Sequence, residues 1–228
     1  MAEKFRHELK YIVSFGQVEI LKCRLDAVMK KDIHTIDGQK YVIRSLYFDD
    51  ADDRCFFEND DGVNQREKYR IRIYNGDMSR ISLECKKKEN GMTNKASCLI
   101  SEAECRGLMS GQAALSVDPS RPVFNRLLIK ASTALMRPKA IVEYDRIPYV
   151  CTDGRVRVTF DLNIRSSSAV ASFLDQRIAF RPIMPCGLHV LEVKYDEFLP
   201  EYIKNVLQLD GVEQTKFSKY YLCRKYSI

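Results

Sequence analysis

Hydrophobic and polar residues alternate strictly between Glu67 and Lys88. Successive side chains of a β-strand point to opposite faces, so this alternation predicts two strands. The dipeptide Asn75-Gly76 tolerates the positive φ angles of a tight turn and predicts that the strands form a hairpin. One face of the hairpin is apolar. The polar face carries Lys68, Arg70, Arg72, Ser82, Glu84, Lys86 and Lys88.

This polar face has two interpretations. A half-buried sheet turns one charged face to water, with Glu84 paired across the strands, and most runs of charge are of this kind. The alternative is a shared interior lined with cations, which requires an anion. Repetition of the pattern on other strands favours the second interpretation. The pattern recurs in Phe5–Ser14, with Arg6, Glu8 and Lys10 on one face, and in His189–Asp196, with Glu192, Lys194 and Asp196 on one face.

The rest of the chain predicts helices and further strands. Apolar residues spaced three and four apart predict helices over Gly16–Lys31 and Pro122–Met136. Ser101 and Glu104 form a capping-box pattern for a helix ending near Gly111. Further predictions are strands at Tyr41–Asp49, Ala140–Val150 and Arg155–Ile164, and a helix from Pro200 to about Leu209. Loops are predicted at Glu89–Asn94 and Ser166–Ser172, and a short segment of unassigned type runs from Lys95 to Ile100. These elements predict a single α+β domain over residues 1–228.

Two details leave alternatives open. In Ala140–Val150, Glu143 lies on the opposite face from Arg146, so either a bulge or the outer face of the sheet must account for one of them. The aspartates at 49, 50, 52 and 53 could form a metal site. Carboxylates in the first turn of a helix are favoured by the helix dipole, and this structural explanation is preferred.

Composition and charge narrow the function. The 228 residues include 37 basic and 31 acidic side chains, a net charge of +6 that suits anionic partners. No long basic block is present, and Tyr69 and Tyr74 are more simply core and edge residues than stacking platforms, so no nucleic-acid partner is expected. Neither a P-loop nor a dinucleotide fold is indicated, because both glycine-rich motifs are absent from the sequence. His7, His34 and His189 are too dispersed to indicate a histidine-centred site. Eight cysteines without a C-x-x-C pair, no signal peptide and no membrane span predict a cytoplasmic protein.

One combination of charges recurs. A cation follows a carboxylate by two residues at Glu8/Lys10, Glu84/Lys86 and Glu192/Lys194. Carboxylate oxygens bind hard divalent cations, and Arg or Lys side chains hold the phosphate oxygens that the metal does not reach. The recurrence therefore indicates a site for a polyanion together with a metal.

The order of short motifs along the chain resembles the VTC domain, the polyphosphate polymerase domain within the CYTH-like triphosphate tunnel metalloenzyme superfamily. The motifs are RHELKY (6–11), SLYFDD (45–50), YRIRIYN (69–75), ECKKK (84–88), VEYDR (142–146), RVTFD (157–161), LEVKY (191–195) and KFSKYY (216–221). The resemblance implies an antiparallel β-barrel, a triphosphate tunnel with a charged interior and flanking helices. It also implies a divalent metal, Mn²⁺ or Mg²⁺, and binding of ATP and inorganic polyphosphate.

The resemblance also implies roles for individual residues. Those implied to line the tunnel and act in catalysis are Lys10, Arg70, Arg72, Lys86, Arg146 and Arg157. Those implied to bind phosphate are Lys95, Lys194, Ser218 and Lys219. The implied metal ligands are Glu192, with Glu8, Glu84 and Glu143 as helpers. The superfamily's E-x-E-x-K opening reads R-x-E-x-K here, with Arg6 in the first acidic place, which weakens transfer of two-metal triphosphatase chemistry.

The activity that follows from the resemblance is transfer of the γ-phosphate of ATP to a growing polyphosphate chain, with ADP leaving. Two alternatives stay open. With water as the attacking group the same site would be a triphosphatase, and without turnover it would be a polyphosphate- or nucleotide-binding module. The resemblance leaves any membrane or regulatory partner proteins undefined.

Overall fold

A computed structural model describes residues 5–32, 35, 40–112 and 118–226. The strands are β1 (His7–Ser14), β2 (Lys30–Lys31), β3 (Tyr41–Asp49), β4 (Arg66–Tyr74), β5 (Asp77–Glu89), β6 (Met92–Ile100), β7 (Arg137–Val150), β8 (Arg157–Ser167), β9 (Arg181–Pro182) and β10 (Leu188–Tyr195). The helices are α1 (Phe15–Asp26), α2 (Arg54–Asp60), α3 (Glu102–Ser110), α4 (Pro122–Thr133), α5 (Glu201–Leu207) and α6 (Lys219–Lys225), with 3₁₀ turns at Asp153–Arg155 and Val170–Ser172. The predicted α+β class, with antiparallel strands and flanking helices, is confirmed.

The chain groups into two compact units, each with its own hydrophobic core. Unit 1 comprises Met1–Val42, Tyr144–Ile164 and Met184–Phe217. Unit 2 comprises Ile43–Glu143, Arg165–Ile183 and Ser218–Ile228. Strands β3, β7 and β8 contribute residues to both units. The expectation of one domain over 1–228 stays a prediction.

In unit 1 the strands follow the order β1-β10-β8-β7, and β10 is antiparallel to both β1 and β8. Helix α1 starts at a complete capping box in which Ser14 and Gln17 exchange hydrogen bonds. Its apolar stripe, Val18, Leu21 and Leu25, is fully buried in the core of this unit. The helix ends at Asp26 rather than at Lys31, because Lys30 and Lys31 pair with β7 as strand β2.

In unit 2 the order is β7-β3-β4-β5-β6, with antiparallel pairing from β3 to β6. The hairpin predicted at Asn75-Gly76 is present, and both residues have positive φ angles, 53° and 70°. The predicted apolar face, including Tyr69, Ile71 and Leu83, is buried in the core of this unit. Helices α3 and α4 contribute Leu108, Phe124 and Leu127 to that core. The capping box of Ser101 and Glu104 is also present.

Several predicted boundaries are wrong. The loop expected at Glu89–Asn94 shrinks to a turn at Asn90-Gly91, because β6 already starts at Met92. Strand β8 extends to Ser167, and α5 ends at Leu207. Arg155 has a φ of 49° and lies in a turn before β8 rather than in the strand. The interpretation of His34 falls outside the described residues.

Helix α2 starts at Arg54, so the aspartates of the acidic run precede its first turn rather than lying in it. The carboxylate of Asp49 instead accepts hydrogen bonds from the backbone N–H groups of Cys55 (2.8 Å) and Phe56 (3.1 Å). No helix of the described residues is long and apolar enough to cross a membrane.

Candidate phosphate- and metal-binding site

The polar face of β4, β5 and β6 in unit 2 is crowded with cations. Strand register pairs Lys68 with Lys86 and Lys86 with Lys95, so three lysines lie side by side on adjacent strands. Like charges directly opposite each other destabilise a sheet. We define the basic face as Arg66, Lys68, Arg70, Arg72, Glu84, Lys86, Lys88 and Lys95. It holds seven cations and one carboxylate, which is an arrangement suited to a polyanion.

Glu84 is the carboxylate of the basic face, and it is 1% exposed. Its oxygens accept hydrogen bonds from Arg70 Nε (2.8 Å) and Lys95 Nζ (3.0 Å), and Arg72 Nη1 lies 3.7 Å away. Burial alone would raise the pKa of Glu84, but these three cations outweigh burial and hold the pKa well below its usual range. Glu84 therefore stays ionised and orients the arginines beside it.

Two side chains of β3 also accept hydrogen bonds from Arg70 and Arg72. Arg70 donates to the hydroxyl of Tyr47 (3.1 Å), and Arg72 Nε donates to Ser45 Oγ (3.2 Å). Strand register places Ser45 opposite Arg72 and Tyr47 opposite Arg70. Arg72 is only 5% exposed, so this network fixes one guanidinium almost completely.

Helix α6 starts beside the basic face. Lys68 Nζ donates to Ser218 Oγ (3.0 Å) and to Asn59 Oδ1 (2.8 Å). Ser218 is the N-cap of α6, and its hydroxyl also accepts the backbone N–H of Tyr221. The structure thus brings Ser218 to Lys68 and puts Lys219 in the first turn of the same helix.

A second charged face lies in unit 1 and has a different balance. Register places Glu8, Lys194 and Arg157 in one cross-strand row, and Lys10, Glu192 and Thr159 in the next. We define the balanced face as Glu8, Lys10, Arg146, Arg157, Asp161, Glu192 and Lys194. It holds four cations and three carboxylates.

Glu192 is the centre of the balanced face and is 5% exposed. It accepts hydrogen bonds from Lys194 Nζ (2.8 Å) and Arg146 Nη2 (3.4 Å), and Lys10 Nζ lies 3.9 Å away. Burial and the neighbouring Glu8 raise the pKa of Glu192, but Lys194 and Lys10 outweigh them and the pKa is lowered. Glu192 is therefore an anion in spite of its burial.

The cations of the balanced face are held by several partners each. Arg146 makes a two-bond pair with Asp161 (2.7 and 2.8 Å). Burial would lower the pKa of Arg146, but the charge of Asp161 raises it well above its ordinary value. Arg157 pairs with Asp32 (2.8 Å) and donates to the hydroxyl of Tyr41. Lys10 donates to the carbonyl of Phe217 (2.8 Å).

Four carboxylates were predicted as metal ligands: Glu8 and Glu192 belong to unit 1, and Glu84 and Glu143 belong to unit 2. Glu8 and Glu192 lie together on the balanced face, where the two side chains interact. Mg²⁺ is commonly bound through one or two carboxylates plus substrate phosphates and water, so this pair fits a hard divalent cation. No group of three or more His, Cys, Asp or Glu residues with metal-binding geometry occurs among residues 5–32, 35, 40–112 and 118–226. The fit therefore depends on oxygen ligands from the substrate.

Glu143 lies on the other side of the sheet from the basic face. It accepts hydrogen bonds from Arg44 Nε (2.7 Å) and Arg165 Nε (3.0 Å). Arg44 is paired in register with the core residue Ile73, whereas Ser45 is paired with Arg72. Of the two alternatives, a bulge or the outer face of the sheet, the outer face therefore accounts for Glu143. Its two arginine partners occupy the carboxylate, so Glu143 is not among the proposed metal ligands.

Sequence reasoning did not select several residues that shape the site. Lys68 belongs to the same alternating pattern as Arg70 and could have been selected from it. Tyr47 and Ser45 are two residues apart on a strand whose polar face was not assigned. Arg44 and Arg165 gave no signal, because their partner Glu143 is distant from both in the sequence.

The overall fold is shared with solved structures of other proteins. One is a protein from Hippeastrum, described as a candidate adenylyl cyclase with a dominant triphosphatase activity. Its structure matches with a TM-score of 0.57 and 15% sequence identity, and the match covers 98% of this chain and 97% of the Hippeastrum chain. A protein from Pyrococcus horikoshii OT3 has a TM-score of 0.52 at 14% identity, with 97% and 99% covered. These comparisons confirm the predicted fold class.

The profile of the VTC domain family matches residues 5–228. The chain therefore belongs to the VTC domain family, and the resemblance drawn from the motifs is confirmed. No curated protein matches the chain significantly. Together the family and the fold support a module for phosphoryl transfer or triphosphate hydrolysis.

Proposed function

We propose that this protein is a metal-dependent polyphosphate polymerase that uses ATP as its phosphate donor. A terminal oxygen of the growing chain forms a bond to the γ-phosphorus, and the bond from the γ-phosphorus to the β–γ bridging oxygen breaks. ADP leaves with that electron pair. The attacking phosphate oxygen is already ionised, so the reaction needs no general base.

The observation that carries the proposal is the row formed by Lys68, Lys86 and Lys95. The row concentrates positive charge along adjacent strands, even though Lys95 also pairs with Glu84 (3.0 Å), and an extended anion lying along it would be attracted to all three amines. Beside this row, Arg70 and Arg72 are oriented by Glu84, and guanidinium groups can hold two phosphate oxygens at once. A chain of phosphates has the charge density and the length to satisfy both groups.

The proposal also assigns phosphate binding and metal binding to residues of the balanced face. Lys10, Arg146, Arg157 and Lys194 bind phosphate oxygens, and Ser218 and Lys219 add donors at the start of α6. Glu192 and Glu8 would hold the metal, Mn²⁺ or Mg²⁺. When bound, that cation neutralises charge on the phosphate oxygens of the donor. Glu192 remains ionised at neutral pH, which suits a metal ligand.

A triphosphatase is the second candidate. The Hippeastrum protein with the similar fold is described as having a dominant triphosphatase activity. In that reaction water replaces the phosphate chain as the attacking group, and the same cations hold the triphosphate. A binding module without turnover is the third candidate, and the product analysis below separates all three.

The test is an incubation of the purified protein with ATP and Mn²⁺ or Mg²⁺, in which polyphosphate, ADP and free phosphate are measured separately. The variant is Lys86→Ala, and the matched control is Lys87→Ala. The two lysines are neighbours in β5, but Lys87 lies on the opposite face and pairs with Glu67 (3.8 Å). Because only Lys86 belongs to the row, only its loss should lower turnover.

Each outcome assigns one candidate. The polymerase is supported if one ADP is released for each phosphate added to the polymer, and if Lys86→Ala lowers both products while Lys87→Ala does not. Free phosphate without polymer supports the triphosphatase. Binding of ATP without any product supports the binding module.

A further inference from the structure

The acidic run after β3 contacts helix α6 through several of its carboxylates. Asp49 is fully buried, and its Oδ2 accepts a hydrogen bond from the hydroxyl of Tyr220 (2.5 Å). Asp53 accepts two hydrogen bonds from Arg224 (3.0 and 2.7 Å). One turn of helix separates Tyr220 from Arg224, so the two aspartates hold α6 at two successive points.

Helix α6 needs such anchors. It has only seven residues, and helices of this length are unstable without tertiary contacts. A third point of contact comes from α2, where Asp60 accepts the hydroxyl of Tyr221 and Phe56 stacks on the Tyr221 ring at 5.1 Å. The position of the first turn of α6, which carries Ser218 and Lys219, therefore depends on these contacts.

Tyr220 connects the anchor to the basic face. Its ring stacks on Tyr47 with the centroids 5.4 Å apart, and Tyr47 accepts a hydrogen bond from Arg70. Lys68 Nζ lies 5.8 Å from the centre of the Tyr220 ring and donates to Ser218. Burial and the Asp49 charge raise the pKa of Tyr220, so the phenol keeps its proton and remains a donor.

We propose that Asp49 and Tyr220 are positioning residues that hold Ser218 of α6 in place to bind a phosphate chain. This inference rests on the proposed function, because that function assigns Ser218 to phosphate binding. It also gives the acidic run a role in place of the metal-site alternative: its carboxylates are engaged by hydrogen-bond donors of the chain.

The test is calorimetric titration of the full-length protein with tripolyphosphate, which measures binding without turnover. Tyr220→Phe removes only the hydroxyl and should weaken binding about tenfold, the effect of one lost charge-assisted contact. Tyr202→Phe is the matched control: it removes a hydroxyl of α5 that also donates to an aspartate, Asp153 (3.1 Å), but does not anchor α6. That variant should bind as wild type does.

A double variant separates positioning from general loss of structure. If Tyr220 acts through Ser218, adding Tyr220→Phe to Ser218→Ala should weaken binding by less than twofold more. Additive losses of about a hundredfold would overturn the inference, as would wild-type affinity in Tyr220→Phe. Should Tyr220→Phe fail to fold, Arg224→Gln takes its place, with about threefold weaker binding expected and unchanged binding contradicting the inference.

Measuring both polymer formation and tripolyphosphate binding distinguishes failure of the proposed function from failure of the positioning role. Wild-type protein that binds tripolyphosphate with the predicted losses but makes no polymer would leave the positioning role intact and remove the polymerase. Wild-type protein that does not bind tripolyphosphate would remove both.

Discussion

The basic face of unit 2 and the balanced face of unit 1 are built from the same sequence pattern but differ in charge. The basic face has seven cations to one carboxylate, and the balanced face has four to three. On the balanced face each cation already has a carboxylate partner, such as Asp161 for Arg146. On the basic face three cations share Glu84. The difference teaches that a carboxylate placed two residues from a cation can have different surroundings: Glu192 lies near another carboxylate, Glu8, whereas Glu84 is surrounded by cations that it orients.

The sharpest test of this contrast is Glu192→Gln. Loss of the proposed metal ligand should lower metal-dependent turnover of ATP about a thousandfold, since removal of one key charged group at such a site costs two to three orders of magnitude. Tripolyphosphate binding without metal should be unchanged or tighter, because a negative charge is lost. ADP release and calorimetry measure the two effects. The control Glu201→Gln changes an exposed glutamate of α5 and should alter neither. Equal losses in both measurements would contradict the separate roles.

On the basic face the corresponding change, Glu84→Gln, should act on stability. It leaves Arg70, Arg72 and Lys95 without their shared counter-charge, and loss of one partner from a buried ion pair costs about 3 kcal/mol. Urea unfolding should show this loss, and added tripolyphosphate should restore part of it by supplying negative charge. Stability that is unaffected by the mutation, or by the anion, would show that Glu84 does not hold the three cations together.

Arg146→Lys tests the buried pair of the balanced face. A lysine cannot make the two parallel bonds that Arg146 donates to Asp161, so we expect a loss of about 2 kcal/mol in the free energy of unfolding. The matched control is Arg106→Lys on the surface of α3. Arg106 also donates two bonds to one carboxylate group, that of Glu102, but both side chains are exposed, and we expect a change within about 0.5 kcal/mol. Similar losses in the two variants would contradict a special role for burial.

The pH dependence of stability should show the smallest effect. The pKa values of Glu84 and Glu192 are lowered in the folded protein. A lowered carboxylate pKa adds stability above the unfolded pKa of about 4.3, and this stability is lost as the pH falls below that value toward the folded pKa. Each group adds a slope of about 1.4 kcal/mol per pH unit in that window. Glu84→Gln should therefore flatten the acid limb of the urea-derived stability curve by one such step. An unchanged slope would contradict the assignment.

The alternating pattern was sufficient to predict the hairpin at Asn75-Gly76 and its polar face, because period two and a turn dipeptide are local signals. The pairing of Lys68 with Lys86 does not follow from that turn alone, because the register shifts between Arg72 and Tyr74. The pairing of Glu143 with Arg44 and Arg165 could not be predicted, because it depends on which distant strands are neighbours. Asp49 was interpreted from its position near a helix, whereas its contact with Tyr220 joins residues 171 positions apart.

The row of three lysines couples anion binding to the stability of the folded protein. If the row binds a phosphate chain as proposed, an anion that binds only the folded form raises the apparent stability of the protein, by about 2.7 kcal/mol at a hundred times its dissociation constant. The amount of folded protein should therefore follow the supply of condensed phosphate around it. A cell depleted of such anions would hold fewer folded copies of this protein, without any change in its synthesis.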